Sequence, residues 1–311
     1  MMTFRELLGQ MQGWVMNYSY RPIAGIRCDL GEGLVWDWKA NRLLMTDIAN
    51  NELLEIDLDM ETHRKWGLPE PVGWVVPTEH PNKYLVGLRT GVALFHTSEP
   101  NELRWLDRKF PSDPRCRLND ACVDPMGRIW YGSMNFANNF ATDGRLASFS
   151  PAEGLRVHDA GFTVTNGPLV APDGQSLYLN DTLIGVVYRY ALSLETGTVA
   201  SREEFIRFGV GQGFPDGMCF DANGNLWIAL WGAAKVVQID KEGRISEALN
   251  IPAINPTNVC FAGEALDRMF VSTATIGMDA AVSMKYPGAG QVFEVTNHGT
   301  RGIHSHFYKV N

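Results

Sequence analysis

Four side chains with oxygen donors, Glu32, Asn119, Asn166 and Asp216, stand at equivalent places in a repeating pattern, each just ahead of an apolar strand. Trp74 and Thr257 take the same place in the two remaining units, making a ring of six positions that converge on one axis. Carboxylates brought together without a counter-charge repel and shift their proton affinities, and a bound divalent cation is the simplest compensation. Oxygen-only donors suit a hard ion such as calcium, magnesium or manganese, and the lack of Cys and His at these positions argues against a structural zinc. Such a donor set leaves coordination positions for water and substrate. Asn and Asp also serve as plain turn residues, so spacing alone leaves a purely structural ring open.

The pattern behind these positions is an internal repeat. Ala121 to Gly132 reads as strand, Pro/Gly turn and strand, and Met218 to Ala229 reproduces it around the same D-x-x-G turn. Pro168 to Leu179 and Leu34 to Met45 carry the design again, and Val75 to Val86 and Val259 to Val271 are looser copies. Spacings of about 40–50 residues match four-stranded propeller blades. Further strands, such as Leu53 to Asp57, Val187 to Tyr190, Val236 to Asp240 and Gln291 to Val295, alternate apolar with polar residues. The expected fold is all-β, a six-bladed β-propeller of four-stranded blades over residues 21–311, preceded by an extension over 1–20. The segment Ile23 to Asp29 is expected to pair with the carboxy-terminal strands and close the ring.

Composition narrows the partners. The 311 residues carry 35 acidic against 27 basic side chains, a net charge of −8, with no basic run, which disfavours nucleic acid. No stretch approaches the ~18 continuous apolar residues of a membrane span, and Arg5, Glu6, Gln10 and Gln12 interrupt any signal core. Five cysteines (Cys28, Cys116, Cys122, Cys219, Cys260) form no C-x-x-C pair, which predicts reduced thiols in a cytoplasmic protein. In that compartment the sequons Asn17-Tyr18-Ser19 and Asn180-Asp181-Thr182 are chance matches. His304 and His306 form an isolated H-x-H near the end, and no G-x-S-x-G, P-loop or H-E-x-x-H occurs.

Several segments resemble the senescence marker protein (regucalcin)/gluconolactonase family. Leu30-Gly31-Glu32-Gly33-Leu34-Val35-Trp36-Asp37 is similar to its opening motif, Arg117-Leu118-Asn119-Asp120 to its R-x-N-D, Thr165-Asn166-Gly167 to its S-N-G, and Phe214-Pro215-Asp216-Gly217-Met218 to its P-D-G-M. Gly277-Met278-Asp279 and Gly299-Thr300-Arg301-Gly302 match the ending, so the resemblance runs in order from about Gly25 to Phe307. It implies hydrolysis of a sugar lactone to the open acid with one divalent cation, with calcium, magnesium, manganese, zinc and iron(II) all admissible. It places the metal ligands on Glu32, Asn166 and Asp216 and the substrate contacts on Arg117 and Asn119. The acidic substrate contact of animal members has no counterpart, since Asn135-Phe136-Ala137 follows Gly132-Ser133-Met134.

For such a reaction the cation polarises the carbonyl and activates water, and Asp216 is the expected general base, with Asp181 as an assistant. Arg117 and Asn119 would fix the reacting face. Trp74 and Trp231 suit either the pocket wall or the seams between blades. Two other functions fit the same pattern: a metal-dependent phosphotriesterase or arylesterase, and a non-catalytic calcium-binding propeller.

Overall fold

The computed structural model describes residues 18–23 and 25–310; the signal-core positions and Asn17 of the first sequon lie outside them. Among the described residues, twenty-four strands, β1 to β24 along the chain, form six four-stranded antiparallel sheets, together with one short α-helix, α1 (Ala280–Lys285), and a single 3-10 turn at Thr182–Ile184. This is the six-bladed propeller that the repeat predicts. The innermost strands are β2 (Gly31–Asp37), β6 (Val72–Pro77), β10 (Cys116–Val123), β14 (Thr165–Val170), β18 (Phe214–Phe220) and β22 (Asn255–Ala262).

The repeat in the sequence has a physical origin in the first turn of each blade. Asp124 Oδ1 accepts the N–H groups of Met126 and Arg128, and Gly127 takes the left-handed backbone (φ 83°) that closes the turn. Its other oxygen accepts Trp130 Nε1 at 3.0 Å. Asp221 does the same with Asn223, Asn225 and Trp227 Nε1. A buried carboxylate thus ties turn and second strand together, and Ala at either aspartate would leave an indole N–H unpaired.

Six apolar clusters each fill one seam between neighbouring blades. Trp74, Leu118 and Tyr131 fill the second to third seam, and Trp130, Leu146 and Leu179 the third to fourth. At roughly 1.5–3 kcal/mol for each large side chain buried, these seams hold the blades side by side.

The last blade is completed by the start of the chain. β1 (Ser19–Pro22) pairs antiparallel with β24 (Phe293–Thr296), from Ser19 opposite Thr296 to Pro22 opposite Phe293. The closing strand therefore lies earlier than Ile23 to Asp29; that segment adds separate bonds to the last blade, from Ile23 N to Val292 O, from Cys28 N to Gly290 O, and from Thr275 N and Ile276 N to Asp29 O. Beyond β24 the chain runs back across the opposite end of the ring as a strap. Ala222 N donates to Arg301 O, Gly302 N to Leu266 O, Trp38 Nε1 to Ser305 O, Tyr308 N to Pro77 O and Lys309 N to Gly127 O. The strap thereby bonds the first, second, third, fifth and sixth blades, and Tyr308 is fully buried beside the second to third seam.

Candidate functional site

Each inner strand breaks its ladder at the same height. The register slips between Glu32 and Val35, Val72 and Trp74, Leu118 and Ala121, Asn166 and Leu169, Pro215 and Met218, and Pro256 and Asn258. A bulge adds a residue and re-aims the neighbouring side chains, so the six bulges turn one layer of residues toward the axis. Gly33 and Gly167, directly after Glu32 and Asn166, adopt left-handed φ values of 61° and 46° that favour glycine.

Five of the expected residues meet there. Arg117 Nη1 donates to Asn119 Oδ1 (2.6 Å) and to the Leu118 carbonyl (2.9 Å). Asn119 Nδ2 donates to Asn166 Oδ1 (2.6 Å) and to Thr165 O (2.7 Å). Glu32, Asn119, Asn166 and Asp216 are all buried. Burial, then the charges of Asp216 and Asp120, push the Glu32 carboxyl well above the usual carboxylate range. Burial and then the Asp120 charge do the same to Asp216. Arg117 is drawn down to about 10 by burial, although Glu32 and Asp216 both hold its charge in place.

Asp120 belongs to this group and was not among the expected site residues. It is buried, accepts the N–H groups of Ala121 (2.8 Å) and Gly167 (2.7 Å), and is pushed up to about 6 by burial against those two bonds. In a regular strand the neighbour of an inward residue points outward; the bulge brings Asn119 and Asp120 to the centre together. Two further residues were missed. Asn180, on β15 (Ser176–Asp181) opposite Asn166, donates Nδ2 to the Asp216 carbonyl, and Thr182 bonds both Asn166 Nδ2 and Pro215 O. Only their place in a discarded sequon marked them.

The centre fits a hard divalent cation. Glu32 and Asp216 face one guanidinium, Arg117, and the Asp120 charge acts on both carboxyls, so negative charge exceeds positive when all three are ionised. Asp216 Oδ1 is buried without a hydrogen-bond partner. Glu32, Asn166 and Asp216 would hold the ion through oxygen alone.

Other expected residues fall elsewhere. Trp74 does not stand on the ring: Glu32, Asn119 and Asp216 each lie five residues before the turn aspartates Asp37, Asp124 and Asp221, and the residue five before the matching Thr78 is Gly73. A Cβ on Gly73 would lie 2.6 Å from Leu118 O, so the second blade contributes backbone alone. The Trp74 ring packs in the seam, its centroid 5.9 Å from that of Tyr131. Thr257 is spent on the sixth to first seam, bonding Gly31 O and Ser272 Oγ. Asp181 accepts the main-chain and hydroxyl hydrogens of Thr163, away from the carboxylate group. Trp231 is half-buried opposite Phe214, at the start of the strand that carries Asp216.

His304 and His306 sit at the far end of the channel, on the strap, with His304 against Trp38 (4.9 Å). All five cysteines are unpaired. Where the resemblance lacks its acidic contact, Asn135 Oδ1 caps Ala137 and Asn138, and Phe136 and Phe140 are exposed. A second acidic group, Asp113, Cys116 and Asp143, has ligand atoms within 4.8 Å of one another. Arg115 grips Asp113 (2.6 Å) and Asn135 donates to Asp143 (2.7 Å), so protein donors already meet its charge.

The family model described as the SMP-30/gluconolactonase/LRE-like region matches residues 30–275. A regucalcin from Danio rerio is 28% identical over 288 residues, covering 90% of this chain and 95% of its own. An uncharacterized protein from Sulfolobus acidocaldarius is 32% identical over 246 residues, 79% of this chain and 87% of its own. Among solved structures, a calcium-binding protein, regucalcin, from Agrobacterium tumefaciens superposes with a TM-score of 0.88 at 24% identity, covering 94% of this chain and 98% of its own. A gluconolactonase from Xanthomonas campestris does so with a TM-score of 0.72 at 18% identity, covering 90% and 89%. Because the matched stretch runs through all six inner strands and every bulge, the chain belongs to the SMP-30/gluconolactonase/LRE-like family.

Proposed function

We propose that the protein hydrolyses a lactone, with a sugar lactone as the first substrate class to test, and that it needs one divalent cation held by Glu32, Asn166 and Asp216. The observation that carries this reading is the uncompensated carboxylate group with the unpartnered Asp216 Oδ1 at the inward bulges. The relatives called gluconolactonase and regucalcin support it. A bound cation supplies Lewis acidity toward the carbonyl and lowers the pKa of a bound water.

The chain's own groups do the rest. Asp216 Oδ1 takes the proton of the attacking water as its oxygen bonds to the lactone carbonyl carbon. The ring C–O bond then breaks, and the proton passes to the departing ring oxygen, giving a hydroxy acid. Arg117 and Asn119, already joined by a 2.6 Å bond, orient the substrate, and the guanidinium steadies the negative charge that develops on the carbonyl oxygen. With a cation bound, Glu32 and Asp120 would carry the negative charge that balances it.

The test is lactone hydrolysis by protein stripped with chelator and reloaded with calcium, magnesium, manganese, zinc or iron(II). Activity that vanishes on stripping and returns with an ion is expected; undiminished turnover after confirmed removal refutes the reading. A non-catalytic cation-binding propeller is the second reading, supported by the relative described as a calcium-binding protein. Full cation occupancy without turnover of any lactone, aryl ester or phosphotriester would establish it.

A further inference from the structure

An asparagine amide keeps its shape when turned over, so which end faces a cation depends on its hydrogen-bond partners. At this centre the partners form one chain with a forced direction. Arg117 has only donors, so it must meet Asn119 at Oδ1. Asn119 then presents Nδ2 to Asn166, which accepts through Oδ1 at 2.6 Å. Asn166 in turn presents Nδ2 to Thr182 Oγ1 at 2.9 Å. The hydroxyl, having accepted that hydrogen, gives its own to Pro215 O at 2.8 Å, and a carbonyl can only accept.

The last link joins two blades. Thr182 follows β15 in the fourth blade, whereas Pro215 lies in β18 of the fifth, directly before Asp216. One hydroxyl therefore grips the side chain of one expected ligand and the main chain beside another. Asn180 adds a parallel tie from Nδ2 to the Asp216 carbonyl. Both tying residues come from the sequon Asn180-Asp181-Thr182, and Asn180 is fully buried with its amide already in use.

We infer that Thr182 is a positioning residue of the cation centre: its hydroxyl holds Asn166 with the carbonyl oxygen toward the ion and sets the distance between Asn166 and Asp216. The inference rests on the cation site of the proposed function. It concerns affinity for the ion, not the chemical step. Removing an outer partner of a metal ligand typically costs 10–100-fold in affinity. Thr182→Val keeps the shape and deletes both hydrogen bonds, whereas Thr182→Ser keeps them.

The experiment is calorimetric titration of chelator-stripped protein with calcium and with manganese, alongside thermal melts without metal. Thr182→Val is expected to weaken binding about 10–100-fold while melting as a folded protein, and Thr182→Ser to stay within about threefold of wild type, since it keeps both bonds. Equal affinities for wild type and Thr182→Val overturn the inference and leave the cation site intact. A Thr182→Ser variant as weak as Thr182→Val overturns it too, because the hydroxyl would not be the cause. Wild-type protein that takes up none of calcium, manganese, magnesium, zinc and iron(II) in the same titration overturns the cation reading and this inference with it. If Thr182→Val does not fold, Thr182→Cys replaces it: the thiol is a poor donor and acceptor, so a weakened affinity is expected and an unchanged one refutes.

Discussion

The two ends of the axial channel are built from the same six strands and have opposite character. At the upper end, Glu32 and Asp216 face one guanidinium, Arg117, while Asp120, whose charge acts on both carboxyls, also lines the cavity below. Three residues further along from Glu32, Gly73, Asn119, Asn166, Asp216 and Thr257, the same strands present Val35, Val76, Cys122, Leu169, Cys219 and Cys260 to a cavity of about 140 Å³. The strap closes that cavity with residues 303–306. Burial pushes the Cys260 thiol up to about 12 and the Cys219 thiol well above its ordinary value, so both stay protonated and serve as small apolar side chains. The contrast shows what a bulge does: regular strand gives a lining fit for packing, and one extra residue converts the next layer into a charged site. Under the proposed function, the apolar cavity would strengthen the electrostatics of the carboxylate centre beside it.

Four substitutions test that division, from the largest expected effect to the smallest. Asp216→Asn should lower lactone turnover by at least the ~10²–10⁴-fold of a lost general base, and by more at limiting cation, while the metal-free protein melts no lower than wild type because a buried, repelled carboxylate is gone. Steady-state kinetics at saturating metal together with melts check both halves. Near wild-type turnover with metal still bound would remove Asp216 as the base. Trp74→Ala should destabilise by about 3–5 kcal/mol, the range for a fully buried Trp, with cation affinity of the folded protein kept. Urea unfolding reads the first and calorimetry the second; a selective loss of substrate binding would return Trp74 to the pocket.

Cys219→Ser places a hydroxyl in the apolar lower ring, so a loss of about 1–3 kcal/mol is expected without change in cation affinity. An affinity change of tenfold or more would mean that the two ends are coupled. The smallest effect is pH-dependent and lies in the third to fourth seam, far from both ends. His158 is held down to about 4, chiefly by burial and then by Arg156 and Arg128, while its ring lies tilted against Trp130 (centroids 4.6 Å apart) and is bonded to Ser148 Oγ (2.8 Å). The unfolded chain protonates this imidazole below its ordinary value of 6.5 and the folded protein does not until about 4. Stability should therefore fall as pH drops from 6.5 to 4 and lose nothing more from this group below that. Urea midpoints against pH for wild type and His158→Gln check it, with a flatter acid limb expected in the variant.

The blade repeat was legible because its cause is written locally: Asp124 with Gly127 and Trp130, and Asp221 with Gly224 and Trp227, are turn, φ and hydrogen bond in one short span. The second blade was misread by one residue, since Thr78 replaces the turn aspartate and Gly73 offers no side chain to the ring. The closing strand Ser19–Pro22 is short and solvent-exposed, so no alternation marks it. At the centre, Glu32, Asn119, Asn166 and Asp216 were legible from phase, but Asp120 was not, because alternation assigns it to the opposite face. Thr182 and Asn180 were out of reach, since their role depends on which residue of the next blade faces them.

Ring closure joins the hydroxyls of Ser19 and Thr296, 277 positions apart, at 2.7 Å. A ribosome synthesises these residues in order, and at about 5–20 residues per second the partners of the first blade arrive on the order of ten seconds or more after it has emerged. Throughout that interval Trp36, Leu43 and Ile56 have no Phe270 or Val292 to cover them. The nascent chain is thus an open arc with an adhesive first face, most exposed to aggregation and to chaperone capture until the final strand and strap are released.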